Sequence, residues 1–282
     1  MAAKPILLDG AVGTSLWAKA EANGINKDPV WIYNIEHPEL VEELAKEYAA
    51  SGSEIILANT FGANRLAVQR SSSYTTPQVV KAAVEITRKA LEGTGKVTAL
   101  SVGPLSVLLE PYGDLEEDEC REIYQEMISA GVEAGAEAIM IQTFLDLAMM
   151  KIAAEVAVQY GLPVYCTLTF EKGGRTIMGN SVQDMIDELT PLGVTAIGMN
   201  CSLGPDLALP IIQEFAQKTD LPLVFKPNAG LPISAGGGGS AIDADAFAQA
   251  VAPAFGIVSY IGGCCGSDPS YVSAIKALLD QQ

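Results

Sequence analysis

Eight short apolar runs, each followed by an amphipathic stretch, constrain this chain more than any other feature. They are "PILLDGA" (5–11), "EIILANT" (54–60), "VTALSVGP" (97–104), "AIMIQTF" (138–144), "VYCTLTF" (164–170), "AIGMNCS" (196–202), "LVFKPNA" (223–229) and "VSYIGGCC" (258–265). Runs that are apolar at successive positions, rather than at alternate ones, are buried on both faces, as in a parallel sheet covered by helices. The stretches between them read as those helices. "HPELVEELAKEYAASG" has Pro38 near its start, apolar residues at Leu40, Val41, Leu44, Ala45 and Tyr48, and a closing Gly52. "EEDECREIYQEMISAGVEAGA" and "DPSYVSAIKALLDQ" follow the same rule. Eight strand–helix units predict a single-domain (β/α)8 TIM barrel over residues 1–282, close to the usual size of about 250 residues for that fold. A doubly wound open sheet is the structural alternative.

Charge narrows the partners. Formal net charge is -17, and a polyanion is repelled by nucleic acid and by anionic membrane surfaces. No apolar run approaches the roughly 20 residues that span a bilayer. The N-terminal "MAAKPILLDGAVG" reaches Asp9 too soon for a signal peptide, so the expected location is cytoplasmic. Thiols stay reduced there, and unusual cysteine spacing then points to metal or catalysis rather than to disulfides.

In a barrel the chemistry sits at the C-terminal ends of the strands. Three of the five cysteines fall at two such ends. Cys201 closes the sixth run, and the vicinal pair Cys264–Cys265 closes the eighth. A disulfide between neighbours is sterically poor, because bridged Cα atoms sit further apart than one peptide link allows. Strands six and eight are next-but-one neighbours, so the three thiolates can converge on one ion. Three protein ligands with a fourth position for substrate is a catalytic zinc arrangement, and sulfur selects zinc over magnesium or calcium. Buried, inert cysteines are the competing reading. Cys120, in an acidic helix, and Cys166, in mid-strand, read as structural. His37, before a proline at a helix start, reads as a surface residue. The four glycines at 236–239 read as a flexible loop after the seventh strand, with a mobile lid as the functional alternative.

Taken together, "LLDGAVGTSLW", "ANTFGANRLAV", "QTFLDLAMMK", "TFEKGGRTIMGNS", "GMNCSLGP", "KPNAGLP" and "IGGCCGSDP" resemble the homocysteine S-methyltransferase family, most of all the homocysteine-binding barrels of cobalamin-dependent methionine synthases. The resemblance implies zinc held by Cys201, Cys264 and Cys265, with homocysteine thiol as the fourth ligand and methyl acceptor. It further implies that Asp9, Gly10 and Thr14, in the turn after the first strand, meet the amino-acid head, that Asn59 lies near the substrate, and that Asn200 and Asn228 lie at strand ends near the metal, where their amides either orient ligands or simply cap the strand ends. One departure stands out. Relatives carry Glu where this chain has Gln142, and that carboxylate receives the substrate ammonium, so the acceptor here is homocysteine or another small thiol. These 282 residues contain no counterpart of the family's folate- or corrinoid-binding modules. The methyl group is therefore expected from a corrinoid carrier protein in trans, with a betaine or S-methylmethionine as the competing donor. A non-catalytic homocysteine- or zinc-binding subunit of a methyl-transfer complex is the alternative to an enzyme.

Overall fold

The computed structural model describes residues 4–230 and 242–281; the glycine-rich stretch at 236–239 lies outside them. The eight apolar runs all contain strands: β1 (Ile6–Leu7), β2 (Ile55–Leu57), β3 (Val97–Val102), β4 (Ala138–Phe144), β5 (Val164–Leu168), β6 (Ala196–Asn200), β7 (Leu223–Lys226) and β8 (Tyr260–Ile261). They form one parallel sheet in the order β1-β8-β7-β6-β5-β4-β3-β2. A bridge between Leu8 and Ile55 closes the ring between its two ends, supported by the Glu54 N–H donating to the Leu7 carbonyl at 2.7 Å. The architecture is the (β/α)8 barrel, and the doubly wound alternative is excluded.

Helices wrap the ring because each has one apolar face and a defined start and stop. Pro38–Ser51 begins on a proline and ends at Gly52, whose left-handed φ of 111° few other residues tolerate. Thr76–Leu91 opens with a reciprocal capping box between Thr75 and Gln78. Pro269–Leu279 is capped by Asp268, which accepts from the Ser270 N–H. The apolar faces of these and the other outer helices pack on the outside of the sheet in two clusters, a large one around most of the ring and a smaller one in which Leu40, Leu44 and Tyr48 of Pro38–Ser51 meet Leu16, Ile56 and Val272.

The inside of the ring is layered. Leu8, Leu57, Ala99, Met140, Tyr165 and Val224 fill it with apolar side chains. Side chains on one face of a strand recur every second residue, so the next inward positions toward the C-terminal ends are Ser101, Gln142, Thr167 and Lys226. A polar floor therefore lies on top of an apolar plug. The floor is internally bonded: the Gln142 amide donates to Ser101 Oγ at 2.8 Å, and the Thr167 hydroxyl donates to Asn200 Oδ1 at 2.8 Å.

Candidate metal centre

The loops leaving β6 and β8 deliver the three cysteines. At β6 the chain turns sharply. Cys201 and Ser202 both adopt left-handed φ, each at 62°. Such non-glycine residues cost on the order of 1–3 kcal/mol each and persist only where the surroundings fix them. Here the Cys201 N–H donates to the Lys226 carbonyl at 3.1 Å, and the Ser202 hydroxyl donates to the Phe170 carbonyl at 2.9 Å. At β8 two glycines let the chain press against β1. A Cβ at Gly262 would stand 2.5 Å from the Asp9 carbonyl oxygen, so no side chain fits there. Beyond the glycines the Cys264 N–H donates to the Pro227 carbonyl, and the Cys265 carbonyl accepts from the Ala229 N–H at 3.0 Å. Both cysteine loops are thus tied to the end of β7.

The three Sγ atoms lie within 4.8 Å of one another, and Cys201 and Cys265 are 3.6 Å apart. A tetrahedral zinc with Zn–S near 2.3 Å separates its sulfurs by about 3.8 Å, so the trio fits that ion with little movement. All three cysteines are free and half-buried. Hydrogen bonds from Cys201 and Cys265 hold the Cys264 thiol well below its ordinary value, with help from the Lys226 charge. The Cys201 thiol is pushed up, because its proton is the one shared with Cys264. A dication binding there displaces these protons. Cys120 and Cys166 are enclosed in the core, where burial pushes the Cys120 thiol up to about 12 and raises Cys166 as well.

Asn200 anchors the centre from below. Its Oδ1 accepts from the Thr143 N–H at 2.8 Å as well as from Thr167, and its Nδ2 donates to Thr143 Oγ1 at 2.7 Å. The same Nδ2 lies 3.5 Å from Cys264 Sγ. Thr143 is itself left-handed, with φ of 64°, which is uncommon for a β-branched residue.

A cleft of about 260 Å³ opens beside the sulfurs. Gly10, Thr14, Asn59, Gln142 and all three cysteines line it, so seven of the residues singled out from sequence meet in one place. Asn200 is bonded to this group without lining the cleft. Asn228 is fully enclosed, and neither atom of its amide has a hydrogen-bond partner among the described residues. Asp9 is fully enclosed as well and does not line the cleft. Its Oδ1 pairs with Lys226 Nζ at 2.7 Å and its Oδ2 accepts from the Leu57 N–H at 2.8 Å. Burial pushes its carboxyl above the usual value, against the pull of the lysine. Removing one member of such a buried pair costs about 3–5 kcal/mol. His37 sits away from the centre, half-buried at the start of its helix and 3.5 Å from Glu39.

Lys226, Ser101 and Thr143 also line the cleft and were not singled out from the sequence. For Lys226 a signal exists: "LVFK" ends an otherwise apolar strand on a charge at an inward position. A roomier cleft of about 530 Å³, lined by Glu85, Arg88, Lys96 and Glu137, lies at the N-terminal ends of β3 and β4, away from the end where barrels carry chemistry.

The family profile described as homocysteine S-methyltransferase matches residues 6–279. Methionine synthase of Mycobacterium tuberculosis is 28% identical over 297 aligned positions, which cover 96% of this chain and 24% of that protein. Methionine synthase of Mycobacterium leprae is 28% identical over 306 positions, covering 99% and 24%. This chain therefore spans about a quarter of the length of these relatives. In shape it is similar to the homocysteine methyltransferase MmuM of Escherichia coli. The oxidized form superposes with a TM-score of 0.79 at 24% identity over 97% of this chain and 96% of that one. The metallated form gives 0.80 at 22% identity over 98% and 96%. At such identities the likeness carries the fold alone. No helix among the described residues is long and apolar enough to cross a membrane.

Proposed function

The chain belongs to the homocysteine S-methyltransferase family, and from that premise we propose that it moves a methyl group onto a small thiol, homocysteine in the first instance, at a zinc ion held by Cys201, Cys264 and Cys265. The observation that carries the reading is the convergence of three free sulfurs on the wall of a cleft sized for a small molecule. Zinc, when bound there, supplies the Lewis acidity that keeps an acceptor thiol deprotonated, where a free alkyl thiol near pKa 8.5 is mostly protonated at pH 7. The protein's own groups do the rest. Asn200 holds Cys264 by its amide and braces the Thr143 turn. The helix Val12–Ala22 starts without a side-chain cap, and its first residues line the cleft. Their free N–H groups, at the positive end of the helix, suit the acceptor's carboxylate. Gln142 and Asn59 offer amide oxygens toward the remaining polar group.

The donor must reach the sulfur from above. The exposed large apolar residues lie in segments that follow the strands at the cysteine end, among them Trp17, Phe61, Leu145, Ile177 and Leu207. Trp17 and Phe61 also line the cleft. Apolar side chains around an active mouth favour a macromolecular donor over a small one. That supports a methyl-corrinoid protein in trans, with a betaine or S-methylmethionine as the second reading. The site also requires a reducing compartment, in which its thiols stay available.

The test is turnover of zinc-loaded protein with homocysteine and a donor panel: methylcobalamin free and protein-bound, a betaine, and S-methylmethionine. Methionine is the expected product, formed fastest from the protein-bound corrinoid. Tight thiol binding with no product from any donor would instead identify a non-catalytic subunit.

A further inference from the structure

The cleft is asymmetric in charge. Among the described residues that line it, no aspartate or glutamate appears, and Lys226 is the one charged side chain besides the thiols. The Asp9 carboxylate stands behind the wall with both oxygens in use, one on Lys226 and one on the Leu57 N–H. An α-ammonium entering the cleft therefore meets only neutral acceptors. Gln142 offers its Oε1, because its Nε2 is spent on Ser101. Asn59 offers its Oδ1, because its Nδ2 is spent on the Val30 carbonyl and on Asn34. A charge-assisted hydrogen bond is roughly twice as strong as a neutral one, so these acceptors replace only part of the hydration an ammonium gives up on entry.

An anion is better served. Lys226 Nζ carries three N–H groups, and Asp9 takes one of them. Asp9 also fixes the direction of the amine, since a 2.7 Å ion pair inside the barrel leaves the lysine no freedom to swing away. The free N–H groups at the start of Val12–Ala22 add to the same preference on the other side of the cleft.

We propose that Lys226 is the specificity-determining residue for the acceptor, and that the site recognises a thiol by its anionic end alone, taking ω-mercapto acids that have no α-amino group as readily as homocysteine. The inference rests on the thiol-methylating function proposed above and defines the substrate class of that same site. In the transfer itself the thiol proton leaves to solvent on binding. A sulfur lone pair forms the S–CH3 bond, and the bond from methyl to an electrophilic donor, an onium compound or a methyl-corrinoid, breaks with its electron pair left on the donor.

The experiment is calorimetric titration of the zinc-loaded full chain with three thiols: homocysteine, 4-mercaptobutanoate, which lacks only the amino group, and 3-aminopropane-1-thiol, which lacks only the carboxylate. The proposal expects the first two to bind within about threefold of each other and the third at least about tenfold more weakly. Lys226→Gln should erase the advantage of 4-mercaptobutanoate over the aminothiol and Lys226→Arg should retain it, with zinc content unchanged in both. If homocysteine binds tenfold or more tightly than 4-mercaptobutanoate, the ammonium is recognised and the proposal fails, while the proposed function stands. If Lys226→Gln weakens all three thiols equally or lowers zinc content, the lysine serves the cysteines rather than the substrate, and the proposal fails. No binding of any thiol refutes the proposed function and this inference with it. If the variants do not fold, the wild-type panel still decides whether the anionic end alone is recognised: homocysteine bound tenfold or more tightly than 4-mercaptobutanoate overturns the proposal.

Discussion

Asn200→Ala separates the support of the metal centre from its ligands. The substitution removes one acceptor serving two donors, the Thr143 N–H and the Thr167 hydroxyl, each at 2.8 Å. It also removes the Nδ2 group that bonds Thr143 Oγ1 and touches Cys264 Sγ. Each donor left unpaired in the interior costs about 1–3 kcal/mol. Part of this returns if Thr143 relaxes from its left-handed backbone, which itself costs on the order of 1–3 kcal/mol. A net loss of about 2–4 kcal/mol follows, and at roughly 2–4 °C per kcal/mol the melting temperature should fall by about 4–16 °C. Zinc affinity should fall by about 10- to 100-fold, the usual effect of removing a group that orients a metal ligand. The control is Thr167→Val. It removes one hydroxyl donor and keeps the contact between Asn200 and Cys264, so it should cost about 1 kcal/mol and leave zinc affinity within about twofold. The assays are thermal melting of the metal-free protein and competition for zinc against a chromophoric chelator. Wild-type zinc affinity in Asn200→Ala, or equal losses in both variants, would show that Asn200 does not support the centre.

In the metal-free protein, a thiol reagent at pH 8 should label Cys264 fastest, because its thiol is held low, then Cys201 and Cys265, and one equivalent of zinc should block all three; fast labelling of Cys120 or Cys166, both buried, would contradict the packing described here. Because burial raises the Cys120 thiol from 9.0 to about 12, the unfolded chain releases that proton first, so stability should be full below about pH 9 and fall as pH rises toward 12, and Cys120→Ala should reduce that slope. Gln142→Glu supplies the carboxylate the cleft lacks. It should tighten homocysteine by about five- to thirtyfold relative to 4-mercaptobutanoate, from a charge-assisted bond worth roughly 1–2 kcal/mol more than a neutral one. An equal change for both thiols in calorimetry would mean that residue 142 does not face the ammonium.

The strands were legible because a run such as "AIMIQTF" has no polar face to offer solvent, and all seven of its residues are in β4. Strand ends were less so. "VSYIGGCC" yields only Tyr260–Ile261 as strand, because Gly262 presses on the Asp9 carbonyl and the chain then turns toward β7. The cysteine trio was readable because strand order in a barrel puts the ends of β6 and β8 on the same rim. The Asp9–Lys226 pair was not, since it spans 217 positions and depends on β1 closing against β8 with both side chains turned inward. Asp9, expected from the resemblance to meet the substrate, has one carboxylate oxygen on Lys226 and the other on the Leu57 N–H. The left-handed turns at Thr143 and Cys201 were equally hidden, for no local residue preference favours them.

The central claim is a three-sulfur metal centre that receives a thiol as its next ligand. X-ray absorption at the zinc edge measures this directly, on the loaded protein with and without homocysteine. The account predicts three sulfur neighbours at about 2.3 Å in the free protein and four at that distance after the thiol is added. Fewer than three sulfurs in the free protein, or a sulfur count unchanged by the thiol, would contradict it.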